Sequence, residues 1–381
     1  MDTALEDTPA GDDGLLDLFL RLAAIPSPSR CERAVADLLI AELRSLGLEA
    51  VEDDAAETVG GDTGNLIVRL PGSGAGAPIV IAAHLDTVAT GGQIVPVVEN
   101  GIVRSAGDTI LGADDKAAVA ALTMTLRDLL REPPVCGLVA VFSVAEEIGL
   151  LGAKAMDLSR LGARAGFVFD TSGPVGDIVV RAPSQTLVEA TFHGLAAHAG
   201  IAPEKGRSAI QAAARAVGAL DLGRLDDDTT VNVGLISGGS ATNVVPARCQ
   251  ISAEVRGHDD GLLSRRVATL IETLEMAATE SGVDLELSVR SAFEAFSLND
   301  DQVAVRIASA ALRAAGFEPR LTQSGGGSDV NVYNTKGLPS VNLSVGMEDV
   351  HSPQESMPVA RLHEVQRVMR ALVEVAGSVT A

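Results

Sequence analysis

Several short apolar runs in this chain end in, or soon lead to, side chains that bind metal ions: His84-Leu85-Asp86, Glu146-Glu147, Asp170 and His351. A further group, Gly112-Ala113-Asp114-Asp115-Lys116, places carboxylates in a glycine-flanked turn before a helix-like stretch. Taken singly, each has a plain reading: His84 as a satisfied imidazole, Asp114-Asp115 as a helix N-cap and its neighbour, Glu146-Glu147 as a solvated strand end. The joint pattern argues otherwise, because adjacent acids directly after buried strands repel and lose solvation unless a cation compensates them. Imidazole and carboxylate without thiolate suits zinc, with cobalt or manganese also compatible. Asp114, Glu147 and Asp170 set three negative charges against the four of two zinc ions, and a bridging hydroxide brings the sum to zero.

Groups so distant in sequence converge only if the fold brings strand ends to one rim. Nearly continuous apolar runs at Asn65–Leu70, Ile79–Ala83, Leu138–Val144, Phe167–Phe169 and Val341–Val345 read as buried strands. Helical spacing marks Leu15–Ala24, Cys31–Leu46, Ala117–Arg131 and Ala304–Ala315. This alternation implies an α/β fold, a mixed and largely parallel sheet between helices, in which ligands bind outside the carboxyl ends of the strands. A chain of 381 residues exceeds the roughly 250–300 at which single cores stop growing. The rhythm changes between 183 and 291, where Thr186–Phe192, Ser208–Leu220, Thr230–Ile236, Arg248–Arg256, Leu262–Ser281 and Asp284–Arg290 read as strand, helix, strand, strand, helix, strand. The expectation is a discontinuous catalytic domain, 1–182 with 292–381, and an inserted smaller α+β two-layer domain at 183–291 that serves as lid or dimerisation domain.

Composition narrows the partners. Hydrophobic residues make up 46% and aromatics only 2%, so aliphatic side chains must fill the core. A formal charge of -22 opposes binding to phosphate backbones or anionic lipid. No apolar stretch is long enough to span a bilayer. The acidic start, with Asp2, Glu6, Asp7, Asp12 and Asp13, lacks the positive region of a signal peptide. Cys31, Cys136 and Cys249 are too few and too scattered for a disulfide framework and read as reduced core thiols. A cytoplasmic protein with no nucleic-acid or membrane partner is expected.

The set Ala83-His84-Leu85-Asp86-Thr87, Gly112-Ala113-Asp114-Asp115-Lys116, Glu146-Glu147, Asp170, Gly326-Gly327-Ser328-Asp329 and His351-Ser352 covers nearly the whole chain in that order. It resembles the di-zinc exopeptidases that include peptidase T, carboxypeptidase G and the aminoacylases. The resemblance implies that His84 and Asp170 bind one zinc, Glu147 and His351 the other, and that Asp114 bridges them through a cis Asp114–Asp115 peptide. Asp86 would orient His84. Glu146 would be the general base, taking a proton from a metal-bridging water and passing it to the leaving amine. Gly194-Leu195-Ala196-Ala197-His198-Ala199-Gly200 resembles a loop whose histidine stabilises the oxyanion, often across a dimer interface, so a homodimer through the inserted domain is implied. Asn243 within Thr242-Asn243-Val244-Val245-Pro246 and Arg256 within Glu254-Val255-Arg256 resemble substrate contacts, and Gly326 and Gly327 would let backbone approach the ligand. Arg256 also has a plain reading as a surface ion pair.

Asp rather than Glu at position 170 resembles the aminopeptidase-like members, and Gly325–Lys336 with Gly337–Leu343 resembles peptidase T-like sequences. Ala118, and Val144-Ala145 before the glutamates, depart from the common pattern and leave pocket shape open. An aminopeptidase acting on small peptides is thus the first expectation. A deacylase or carboxypeptidase-like amidohydrolase acting on N-acyl amino acids is the second, and a metal-stabilised binding protein without turnover the third. His193, His258 and His363 match no motif position and read as structural or exposed.

Overall fold

The computed structural model describes residues 13–379; Asp2, Glu6, Asp7 and Asp12, on which the expectation about a leader rests, lie outside them. The described chain forms two compact units. One holds the residues up to Val180, Leu298–Thr322 and those from Ser328 on, and the other holds Arg181–Ser297 and Gln323–Gly327.

At the centre of the first unit, strands Leu138–Ser143, Ile79–His84, Gly166–Phe169 and Ser340–Leu343 run parallel, side by side in that order. Antiparallel strands flank them: Leu66–Leu70 and then Ala50–Glu52 on one side, Asp177–Ala182 on the other. Every residue of the four parallel strands is buried, which is why their sequences read as unbroken apolar runs rather than alternations. Parallel pairing puts their carboxyl ends at one rim: His84 pairs with Ser143, and Leu343 with Phe169. The segments carrying Glu146, Glu147 and Asp170 leave the sheet there.

Helix Ala113–Arg131 packs on strand Ile79–His84 and against helices Gly14–Ala23 and Val359–Ala376. Its fully buried Ala117, Ala118, Ala120 and Ala121 are small enough to let these neighbours approach. Asp114 and Asp115 near its start have non-helical backbone angles, so regular helix follows them, close to where the apolar periodicity begins. Helices Val303–Ala314 and Asp329–Thr335 pack on strands Gly166–Phe169 and Ser340–Leu343. A small sheet of Pro96–Glu99, Ile102–Ser105 and Ser356–Pro358 has no counterpart in the sequence reading, since its strands are too short to show a period.

The second unit is an antiparallel sheet in the order Gly223–Arg224, Thr229–Gly238, Arg248–Gly257, Ser184–His193, Asp284–Phe293, with helices Ala209–Ala219 and Asp260–Ser281 packed on it. Alternation is plain in Arg248–Gly257, whose Cys249, Ile251, Ala253 and Val255 are buried and join the helices in one core. The expected element order is present, with Gly223–Arg224 added.

Among the cysteines, Cys136 and Cys249 are buried but Cys31 is exposed, correcting the expectation of three core thiols. Cys31 precedes helix Arg33–Ser45 and lies off its apolar stripe of Val35, Ala36, Leu39 and Leu43. Among the described residues, no helix is long and apolar enough to cross a membrane.

One glycine shows how tightly the rim is built. A Cβ on Gly152 would lie 2.3 Å from the Val144 carbonyl oxygen and 2.5 Å from Asn65 Oδ1, just below the Glu146-Glu147 segment. Gly152→Ala is expected to lower unfolding free energy by about 1–3 kcal/mol, the range for overpacking a filled site. Urea denaturation measures it, and an unchanged midpoint would show that the contact is loose.

Candidate metal centre

His84 ends its strand only 2% exposed, with its ring at the rim. Its Nε2 lies 3.2 Å from Asp114 Oδ1 and 3.8 Å from Asp170 Oδ1. The other oxygen of Asp114 faces the second imidazole: His351 Nε2 is 3.2 Å from Asp114 Oδ2 and 3.0 Å from Glu147 Oε1. One carboxylate therefore stands between two imidazoles, each flanked by a further acid. His84, Glu146 and Asp170 also present ligand atoms within 4.8 Å of one another, as do His84, Asp114 and Glu147. The structure thus gathers His84, Asp114, Glu146, Glu147, Asp170 and His351 into one cluster within the first unit.

Backbone contacts fix this cluster. Asp86 acts twice: its carbonyl oxygen lies 2.8 Å from His84 Nδ1, and its carboxylate accepts the amides of Glu146 at 2.9 Å and Glu147 at 3.1 Å. The Ser29 hydroxyl donates to the same carboxylate at 2.6 Å. Asp86 thereby orients both the imidazole and the glutamate pair. Asn342, on the neighbouring strand, accepts the Asp170 amide at 3.0 Å and donates to its carbonyl at 2.6 Å. The Asp114–Asp115 peptide is cis, and Asp115 Oδ2 accepts the His84 amide at 3.0 Å.

Burial and mutual repulsion shift the acids of this cluster. Burial, reinforced by repulsion from Asp170, pushes the Glu146 carboxyl well above its usual range. Burial does the same to Asp170, reinforced by Asp114 and Glu147, and to Asp115, reinforced by Asp170 and Asp114. Hydrogen bonds to Asp114 and Glu147 raise the His351 pKa to about 10. Burial would lower that of His84, but hydrogen bonds to Asp114 and Asp86 outweigh it and raise it. Protons here stand in for positive charge. The donor set, imidazole nitrogen and carboxylate oxygen without thiolate, fits divalent metal ions.

A sequence profile of peptidase family M20/M25/M40 matches residues 80–375. The chain belongs to peptidase family M20/M25/M40. An uncharacterized protein of Bacillus subtilis (strain 168), YqjE, is 39% identical over 364 residues, covering 95% of this chain and 98% of that one. The crystal structure of aminopeptidase PepT from Bacillus cereus ATCC 10987 matches with a TM-score of 0.83 at 38% identity, over 96% of this chain and 99% of that one. A tripeptidase from Staphylococcus aureus subsp. aureus Mu50 matches with a TM-score of 0.88 at 35% identity, over 97% and 99%.

The remaining sequence candidates of this M20 peptidase lie in the second unit. His198 and Asn243 are exposed there, on two segments zipped together: the Ala199 amide donates to the Asn243 carbonyl, and the Val245 amide to that of Ala197, each at 2.9 Å. Arg256 forms the plain ion pair, 3.2 Å from Glu254, and also donates to the Gly325 carbonyl at 3.4 Å. Gly326 lies beside it, its amide bonded to Ser324 Oγ at 3.0 Å. Gly327 has a steric reason of its own, since a Cβ there would come within 2.4 Å of the Phe293 ring.

Three further buried acids, to which the sequence reading gave no role, lie around the centre. Glu32 accepts the Ala145 amide at 2.9 Å, and burial lifts its pKa to about 7. Asp329, lifted by burial to about 6, accepts the Ser143 hydroxyl at 2.5 Å. Glu355 accepts amides around Asp114. Glu32 stands at the N-cap of its helix, where an acid passes for an ordinary helix start.

The raised pKa values set a direction for stability. In the metal-free folded peptidase, Glu146, Asp115 and Asp170 keep protons above their ordinary values of 4.5, 3.8 and 3.8, and His351 above 6.5. The folded state therefore binds more protons than the unfolded one, and stability falls as pH rises. With chelator present, Tm is expected to drop between about pH 5 and about pH 7, whereas with saturating zinc it should rise, because metal displaces protons. Thermal scans in chelator giving an equal or higher Tm at the upper pH would contradict this.

Proposed function

We propose that the protein is a di-zinc aminopeptidase that releases the N-terminal residue of small peptides. The observation that carries the reading is Asp114 standing between His84 and His351 with the buried Glu146 beside them. His84 and Asp170 would hold one zinc, Glu147 and His351 the other, and Asp114 both, with cobalt or manganese able to replace zinc. When bound, the ions polarise the scissile carbonyl and bring the pKa of a water to about 7. Glu146 takes the proton of the attacking water and delivers it to the leaving amine. His198 would stabilise the oxyanion, and Asn243 and Arg256, with the backbone at Gly326 and Gly327, would hold the substrate's far end. The aminopeptidase and tripeptidase at 38% and 35% identity support the free-amine substrate class.

The second unit is the proposed dimerisation domain. Beyond its short pairing with Gly223–Arg224, one edge of strand Thr229–Gly238 has no partner strand among the described residues, and it carries Leu235 at 70% and Ile236 at 53% exposure. An open apolar edge of this kind favours pairing with a second copy. The charge of -22 and the free cysteines support a cytoplasmic peptidase that binds no nucleic acid.

The deciding experiment offers an unblocked tripeptide and its N-acetylated copy to the zinc-loaded protein. Chelator-sensitive release from the free-amine peptide alone is expected, and Glu146→Gln should keep both metals while losing about 10²–10⁴-fold in kcat. Cleavage of only the acetylated peptide would move the assignment to a deacylase. Sedimentation should show a dimer; a strictly monomeric, fully active enzyme would remove any contribution of His198 from a partner.

A further inference from the structure

We propose that Glu355, which binds neither metal nor substrate, is a positioning residue that sets the bridging carboxylate. The inference rests on the metal centre proposed above. The Glu355 carboxylate is 1% exposed, and its Oε2 accepts the amides of Leu111 and Gly112, both at 2.8 Å. Its Oε1 accepts the Asp114 amide at 3.0 Å. The nearby buried Lys116 interacts with it electrostatically but donates its hydrogen bond to the Ile25 carbonyl at 2.5 Å.

The turn needs such an acceptor. The first amides of a helix have no partner within it, and here Gly112 is left-handed at φ 74° while Asp114 departs from helical angles at φ -80° and ψ 102°. Leaving these amides buried and unpaired would cost more than most single contacts contribute. The Glu355 carboxylate satisfies three amides of this turn, those of Leu111, Gly112 and Asp114, and charge-assisted bonds are the stronger kind.

Glu355 sits on the same loop as His351. That loop is closed at its base by paired bonds between Glu348 and Ser356, both at 3.0 Å, and tightened by the Glu355 amide bonding the Ser352 carbonyl at 3.1 Å. Glu355 therefore ties the loop bearing His351 to the turn bearing Asp114, and the 3.2 Å approach of His351 Nε2 to Asp114 Oδ2 depends on that tie. Because Asp114 serves both metal positions, loosening Glu355 loosens both. Glutamine cannot replace it, since its single carbonyl oxygen serves one side of the turn while its amide group meets an N–H donor.

Cobalt titration of the metal-free protein, followed by calorimetry and by visible absorption, tests this independently of turnover. Wild type should take up two ions. Glu355→Gln should bind them about 10–100-fold more weakly with an altered spectrum, lose kcat by a similar factor, and leave KM for the tripeptide unchanged. Glu355→Asp, which keeps the charge but reaches less far, should fall between. Glu52→Gln is the control, because Glu52 also accepts a loop amide, that of Gly64 at 2.9 Å, away from the cluster; it should keep wild-type cobalt binding. Wild-type affinity and spectrum in Glu355→Gln would overturn the proposal. So would loss of the fold in both Glu355 variants by circular dichroism, which would make the residue a folding determinant. Failure of wild type to bind cobalt would instead remove the metal centre, and this inference with it.

Discussion

The structure turns on one arrangement: the carboxylate of Asp114, buried, with His84 at one oxygen and His351 at the other. Around it lie Glu146, Glu147 and Asp170, with Asp115 following in sequence. Two like charges 4 Å apart repel by about 4 kcal/mol at an effective dielectric of 20. A few such pairs rival the roughly 5–15 kcal/mol by which domains are stable. The cluster can exist only with protons or cations among its acids, and the raised proton affinities of Glu146, Asp115 and Asp170 express this. Divalent ions remove the same repulsion while leaving Glu146 free to move a proton.

Much of the surrounding structure holds backbone rather than side chains. Asp86 grips the amides of Glu146 and Glu147, Glu32 that of Ala145, Asp115 that of His84, and Glu355 those of the turn before helix Ala113–Arg131. Each is a buried acid answering a buried N–H, a stronger bond than a neutral pair makes. The parallel sheet brings the segments to one rim, and these acids then fix each segment there.

That division explains what was legible in the sequence. His84, Glu146, Glu147 and Asp170 stood out because each ends or closely follows a strand buried on both faces, and such strands leave continuous apolar runs. The second unit was legible through its alternation, as in Cys249, Ile251, Ala253 and Val255. Glu355 was not, because its partners are amides that any residue carries, and it precedes a strand of only three residues, Ser356–Pro358. Cys31 was misread because the helix expected from position 31 begins only at Arg33, which leaves the thiol outside the helix and exposed.

The most direct test of the account is diffraction from zinc-grown crystals at the zinc absorption edge. Two anomalous peaks are predicted, one between His84 and Asp170 and one between His351 and Glu147, with Asp114 reaching both. A single peak, or two peaks that Asp114 does not bridge, would contradict it.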